Sequence, residues 1–399
     1  MMHPSRNVLV LNCGSTTIKF QLLDTSTGEA LFKGAVDRVG RSDCSASYRY
    51  RADRPKLTAD LPDAAHGEAL RWVFGVLPAD LPLYAVGHRV VHGGSFFGGP
   101  ALADEETLRK IEECAPLAPL HNPIQLVGIR ECMEFHPEIP HVASFDTAFH
   151  QNKSAVASLV PLPPEVTARG GYRKFGFHGA SHRYVSERAA AMLGRDLGSL
   201  RLVTCHLGGG STVTAVRFGI AVDTTATFGT FTGMPMGTRS GDIDGGIILD
   251  LLTRQGMAVQ EVHELLYKKS GMAAISGVSG DMAELARLEA EGHAGAALAR
   301  EYYIYCLKKF IGAFAAAMEG VDGIVFTAGI GENDADLRAR LCSGLGWLGA
   351  RLDGGKNLLR GKECLISTPD SAVALMVIPT NEELAIALEV AGLLEGARP

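Results

Sequence analysis

The sequence predicts an α/β protein of two domains with related topology, and three observations carry that prediction. A strand, a turn of glycine and hydroxyl residues and a second strand occur at Val8–Asp24, and the same grammar returns at Leu202–Val222. A helical region from Gly245 to Met318 follows the second of these. A third glycine turn, Ala328–Asn333, comes after the buried-strand pattern Gly323–Thr327. At 399 residues the chain has room for two or three domains of ordinary size.

In chain order, Val8–Leu11 reads as a short buried strand, Asn12 to Thr17 as its turn, and Ile18–Leu23 as an alternating strand ending at Asp24. Helices are expected around Asp104–Cys114 and Pro123–Glu134. In the second half Leu202–Cys205 is apolar, His206 to Thr212 forms the turn, and Val213–Phe218 alternates before a strand near Ile220–Val222. Ile304, Leu307, Ile311, Phe314 and Met318 recur at helical spacing, which makes one long core-facing helix. The third turn leads into a helix over Asp336–Leu345, and the chain closes with strand Ala374–Ile378 and helix Glu382–Leu394. The expected boundary lies near residue 150, giving domains 1–150 and 151–380, with the final segment, 381–399, packing back on the first.

Composition narrows the function. A hydrophobic fraction of 46% and a charged fraction of 21% are those of an ordinary globular protein, and no apolar run approaches the ~18 residues of a membrane helix. The net charge of -6 argues against a surface built for nucleic acid or anionic membrane, while a local basic pocket stays open. Eight scattered cysteines without a Cys-x-x-Cys pair read as reduced thiols, and the start MMHPSRNVLVLNCGS lacks the apolar length of an export signal, so a cytoplasmic protein is expected. Glycine is in excess, 47 residues, without any Gly-X-Y period. Exposed backbone N–H groups at glycine turns suit anions, above all phosphate.

Several polar residues stand where a plain surface does not explain them. Arg89, in GHRVVHGG, sits inside a strand pattern and needs an internal carboxylate or a bound anion. Arg239, in MGTRSGDID, lies in a loop of glycine and short polar residues without helical or strand period. His178 and His182, in GFHGASH, are four apart, but the glycines around His178 argue against a zinc helix. His182 reads as a helix-start or packing residue, and His178 as a donor to an anion. His121 and Asp146 follow the same logic, with Asp146 also suited to capping a turn. Thr380 and Glu383 form a capping box for the last helix, so Glu382 serves either the helix dipole or a magnesium ion. The Gly329-x-Gly331 pair lacks the third glycine of a dinucleotide fingerprint.

Taken together, VLVLNCGSTTIKFQL, GHRVVHGG, LAPLHNP, FDTAFH, YRKFGFHGASH, TCHLGGGS, MGTRSGDID, FTAGIGEN and IPTNEELAIA resemble the acetate kinase family over essentially the whole chain. The resemblance implies the fold shared by actin, sugar kinases and heat-shock ATPases: two domains of actin-like topology with the active site in the cleft between them. It implies a phosphotransferase with a carboxyl acceptor, moving a phosphoryl group reversibly between ATP and acetate, with magnesium (manganese as the alternative) and as a homodimer. Asn12 and Glu382 then correspond to metal-side residues, and Thr17 and Lys19 to the first phosphate hairpin. Arg89 and Arg239 correspond to the pair that holds the acyl carboxylate and the transferring phosphoryl group, with His178 as hydrogen-bond donor and Asp146 and His121 as members of the site. His206, Gly208, Gly209, Gly210, Ser211, Gly329, Gly331 and Asn333 correspond to nucleotide and phosphate contacts, and Asp281 to the nucleoside side. Val91, Leu120, Phe177 and Thr230 correspond to the acyl pocket.

The sequence also departs from that pattern. Gly209 stands where the family has Asn, Met282 and Ala283 where it has Phe and Arg, Thr230 where it commonly has Pro, and Gly245 where Pro is usual. These changes remove an amide donor near the phosphates and a stacking ring and cation near the nucleoside. They leave open propionate or butyrate as acceptor and another donor such as pyrophosphate. From a different class, an actin-like ATPase without kinase activity is the remaining alternative, against which Arg89, Arg239 and His178 speak.

Overall fold

The computed structural model describes residues 6–396. The first residues of the start read above for export, 1–5, and the last of the closing segment, 397–399, lie outside them. The chain divides into two units, one running to Gln151 and taking in the chain from Asn381 onward, the other spanning Asn152–Thr380.

The first unit carries an eight-stranded sheet. Its strands are β1 (Asn7–Cys13), β2 (Thr17–Asp24), β3 (Ala30–Asp37), β4 (Ser45–Tyr50), β5 (Leu57–Asp60), β6 (Leu83–Val90), β7 (Ala101–Leu102) and β8 (His141–Phe145), in the order β5-β4-β3-β2-β1-β6-β8-β7. β1 is central and nearly all buried, and it pairs with β2 antiparallel and with β6 parallel. β2 alternates buried Ile18 and Phe20 with exposed Lys19, the pattern of a strand with one wet face. The turn is shorter than the sequence suggests: the β1–β2 ladder runs through Asn12↔Lys19 and Cys13↔Ile18, leaving only Gly14–Thr16 between the strands. Polar side chains do not stop a ladder made by backbone groups, so Asn12 and Thr17 stand on strands. The last helix, Glu382–Gly396, packs on β1, β6 and β8 through Ile386, Ala387 and Val390. Gly87 of β6 permits this: a Cβ there would stand 3.0 Å from Val390 Cγ2 and 3.1 Å from Ile386 Cγ2.

The second unit carries a six-stranded sheet: β9 (Arg201–Leu207), β10 (Ser211–Arg217), β11 (Ile220–Thr224), β12 (Gly323–Thr327), β13 (Cys364–Leu365) and β14 (Ala374–Val377), in the order β11-β10-β9-β12-β14-β13. β9, β12 and β14 are parallel, and β9–β10 is the second hairpin. Here too the ladder is longer than read from sequence, pairing Ser211↔Leu207 and Thr212↔His206, so His206, Ser211 and Thr212 are strand residues and only Gly208–Gly210 turns. The third glycine turn is itself a helical turn, Ala328–Asn333, separated by Asp334 from helix Ala335–Ser343. The long helix Ala294–Ala317 buries Tyr303, Ile304, Leu307, Ile311 and Phe314 in this unit's core. Each such apolar side chain contributes roughly 1.5–3 kcal/mol on burial. Among the described residues no helix is long and apolar enough to cross a membrane.

In both sheets the functional candidates gather at the carboxyl ends of the parallel strands, where α/β sheets place ligands. Arg89 is the penultimate residue of β6 and Asp146 follows β8, while His206 on β9 pairs with Thr327 at the end of β12.

Candidate active site

In the first unit Asp146 binds Arg89 in bidentate fashion. Nε donates to Oδ1 at 2.9 Å and Nη2 to Oδ2 at 2.8 Å, with the aspartate buried at 5% exposure. The backbone N–H of Asp146 donates to the Val90 carbonyl, which locks the two strand ends together. Glu382, first residue of the last helix, brings Oε2 to 3.8 Å from Arg89 Nη2. The charge of Asp146 holds the Arg89 guanidinium firmly protonated, and burial pushes the Glu382 carboxyl up, against the pull of Arg89 and with the push of Asp146. Two of the five guanidinium N–H donors are committed to Asp146, which leaves three on the Nη groups for an anion.

The backbone after β6 is pinned by residues that sequence reading passed over. Gln125 Oε1 accepts the Val91 N–H (3.0 Å), Asn122 exchanges two bonds with the backbone of His92, and Thr147 Oγ1 accepts the Gly93 N–H. Asn122, inside the LAPLHNP string, and Gln125 lie in the first turn of helix Asn122–Phe135, and both are buried; amide side chains three residues apart at a helix start were the available signal. Of the remaining candidates here, Val91 is half-buried, while His121 and Leu120 are exposed. Thr17 Oγ1 donates to Asp37 at 3.4 Å, and exposed Lys19 lies opposite Asn12.

A magnesium ion near Glu382 would meet carboxylate donors. Magnesium takes one or two carboxylates and completes its shell with water and phosphate oxygens rather than a protein cage. The Asp146–Glu382 pair carries two carboxylates against one guanidinium, and this surplus of negative charge fits a cation. Among the described residues no group of three or more His, Cys, Asp or Glu forms a cage.

In the second unit His178 takes the left-handed conformation (φ 55°, ψ 33°) at the start of helix Gly179–Leu193, a strain of roughly 1–2 kcal/mol for a residue with a Cβ. Its ring stacks on His206 at 4.2 Å, and its Nδ1 lies 2.9 Å from Thr212 Oγ1. His206 Nδ1 bonds Ser181 Oγ, which bonds Thr380 Oγ1. Gly210 makes room for the ring, since a Cβ there would stand 3.0 Å from both Cε1 and Nε2 of His178. Arg239 is half-buried and donates from Nη1 to the Thr230 carbonyl at 3.0 Å, and burial lowers its basicity. Its loop is rigid: Met236 N–H donates to the Arg239 carbonyl, Asp242 accepts from Gly233 N–H, and Gly271 (φ 65°) leaves space that a Cβ would close to 2.1 Å from the Met236 carbonyl. Phe177 is buried.

A cavity of about 570 Å³ opens in this unit, lined by Gly208, Gly209, Ser211, Asp281, Gly329 and Asn333 among others. Six candidates read from scattered strings therefore share one wall. Asp281 also caps helix Met282–Ala290 through Glu284 N–H, Ser211 bonds the buried Tyr303 hydroxyl, and Asn333 Nδ2 donates to the Gly329 carbonyl. Gly331 does not line the cavity; its carbonyl accepts from the fully buried Arg338. Sequence reading also missed Arg360, which lines the cavity together with Met282 and Ala283 and returns a cation to that end from a distant loop.

The model of the acetokinase family matches residues 7–388. An acetate kinase of Caldanaerobacter subterraneus is 45% identical over 401 residues, covering 98% of this chain and 100% of the relative. One from Thermotoga maritima is 45% identical over 399 residues, covering 97% of this chain and 98% of the relative. Among solved structures, Porphyromonas gingivalis acetate kinase superposes with a TM-score of 0.93 at 38% identity, covering 98% of this chain and all of that one. A propionate kinase from Francisella tularensis superposes at 0.90 with 37% identity, covering 96% and 98%.

Proposed function

Because the chain belongs to the acetokinase family, we propose that it transfers the γ-phosphoryl group of ATP to the carboxylate of acetate, reversibly, giving acetyl phosphate and ADP. The observation that carries the site assignment is the Arg89–Asp146 clamp, which aims a fixed cation from the strand ends. A small carboxylic acid is already ionised at pH 7, so the acceptor needs no general base. Asp146 therefore orients Arg89 rather than abstracting a proton. The task is to bring an anion to a polyanion, and positioning with charge stabilisation performs it. Arg89 and Arg239 hold the acyl carboxylate and the phosphoryl group, and His178 donates to the phosphoryl oxygens. The cavity lined by Gly208, Gly209, Ser211, Asp281, Gly329 and Asn333 takes the nucleotide, with His206, Gly210 and Gly331 on the strand end and turns that carry those residues. Asn12 and Glu382 would hold the magnesium ion, which supplies charge neutralisation on the phosphates. Thr17 and Lys19, on the first hairpin, contact phosphate.

Val91, Leu120, Phe177 and Thr230 form the acyl pocket in this reading, with His121 at its side. The protein acts in the cytoplasm as a homodimer; its eight free cysteines support the first of these. Trapping acyl phosphate as hydroxamate, with acetate, propionate and butyrate each offered ATP, GTP and pyrophosphate, tests the reading. Acetate with ATP is expected to give the most product. Nucleotide hydrolysis without acyl phosphate from any carboxylate would return the chain to the ATPase alternative.

A further inference from the structure

Three side chains and a backbone carbonyl form an unbroken hydrogen-bonded chain behind His178. His178 Nδ1 lies 2.9 Å from Thr212 Oγ1, the same oxygen lies 2.8 Å from His182 Nε2, and His182 Nδ1 lies 2.7 Å from Thr204 Oγ1. Thr204 Oγ1 in turn reaches the Thr214 carbonyl at 3.4 Å. His182, Thr204 and Thr212 are buried, with at most 1% exposure.

The proton count fixes the direction of the chain. With the 3.4 Å bond to the Thr214 carbonyl made, Thr204 spends its one proton there, since a carbonyl only accepts, and it then accepts from His182 Nδ1–H. A neutral His182 has no proton left for Nε2, so Thr212 donates there. Thr212 has then spent its proton and accepts from His178 Nδ1–H. The opposite direction leaves the Thr214 bond unmade. The proton of a neutral His178 is thus held on Nδ1, while its Nε2 edge faces Gly210 in the phosphate turn.

We propose that Thr212, His182 and Thr204 are positioning residues that hold the proton of neutral His178 on Nδ1, so that His178 engages a phosphoryl anion only as an imidazolium, having taken one solvent proton at Nε2. The inference rests on the reading of His178 as a phosphoryl contact. It gives His182, read from sequence as a packing residue, a second task. Titratable groups that face His178 within its unit include His206 of β9 and His182 of its own helix; Thr212 of β10 and Gly210 of the turn are neutral.

Two measurements on the full-length protein test this. In ¹⁵N spectra of histidine-labelled protein at alkaline pH, with His178 assigned by its loss in His178→Gln, wild-type His178 is expected to show N–H at Nδ1 and a bare Nε2. An Nε2–H tautomer overturns the proposal. In pH-rate profiles, wild-type kcat should fall about ten-fold per pH unit above the His178 break. Thr212→Val frees the tautomer, so its rate relative to wild type should climb by the same factor over that limb, while Thr212→Ser tracks wild type. If Thr212→Val does not fold, Thr204→Val opens the chain at its far end and should behave alike. Parallel alkaline limbs in all variants overturn the proposal. Full turnover in His178→Gln separates the two layers, because it removes His178 from the site and the imidazolium role with it, whatever its tautomer.

Discussion

The two units hold their candidate functional side chains by different physics. In the first, Arg89 is fixed by charge: a bidentate carboxylate, a second carboxylate at 3.8 Å and a buried location. In the second, the Thr212 hydroxyl bonds His178 and the Thr230 backbone carbonyl bonds Arg239, both of them neutral groups. Ion pairs between buried groups are strong in place and costly when one partner is removed. Neutral chains hold geometry and proton position without cancelling charge. An enzyme that must bind anions benefits from the second arrangement wherever the cation itself has to stay available.

This contrast can be broken from either side. The largest effect is expected for Arg239→Lys, because an ammonium cannot reproduce the planar fork that reaches both Thr230 and an anion. Turnover should fall by roughly 100-fold, the scale of losing one preorganised donor, and near-normal kcat would remove Arg239 from its role. Asp146→Asn comes next. It keeps the shape but leaves the buried guanidinium without its counter-charge, so kcat/KM for acetate should drop by about ten-fold or more with the nucleotide KM little changed.

A third test concerns stability. Burial pushes the His92 ring down to about 4, and burial also lowers His88 and His141, whose rings share a 3.0 Å bond. A histidine depressed in the folded state contributes stability that is fully present above its unfolded pKa, near 6.5, and is lost as pH falls toward the folded value. Urea midpoints should therefore decline as pH falls from 6.5 to 4, and no change across that window would contradict the assignment. Gly87→Ala should lower stability by roughly 1–3 kcal/mol through overpacking against Ile386 and Val390, seen as a reduced Tm. The smallest effect is expected for Arg360→Ala, a few-fold rise in nucleotide KM at unchanged kcat, since one exposed cation at a cavity edge is worth about 1 kcal/mol.

Much of the fold was legible because strand and helix periods are local. The hairpins, the long helix Ala294–Ala317 and the closing helix follow from apolar spacing alone. The turns at both hairpins are shorter than the residue types suggest because polar residues such as Asn12, His206 and Thr212 continue the ladder. At the site, residue types announced Arg89 and Asp146 individually, but their pairing joins positions 57 residues apart and belongs to the parallel alignment of β6 with β8. Arg360 gave no local signal at all, since its place on the cavity wall comes from the loop after helix Ala335–Ser343. His182 was legible as buried and not as bonded, because its partners Thr204 and Thr212 come from two strands of another part of the chain.

The most direct test of the central claim is a ³¹P NMR time course of the purified protein with ATP, magnesium and acetate. Acetyl phosphate and ADP should appear in equal amounts as ATP disappears, and the reaction should run backward when acetyl phosphate and ADP are supplied. Inorganic phosphate and ADP appearing together, with no acyl phosphate resonance at any time, would contradict it.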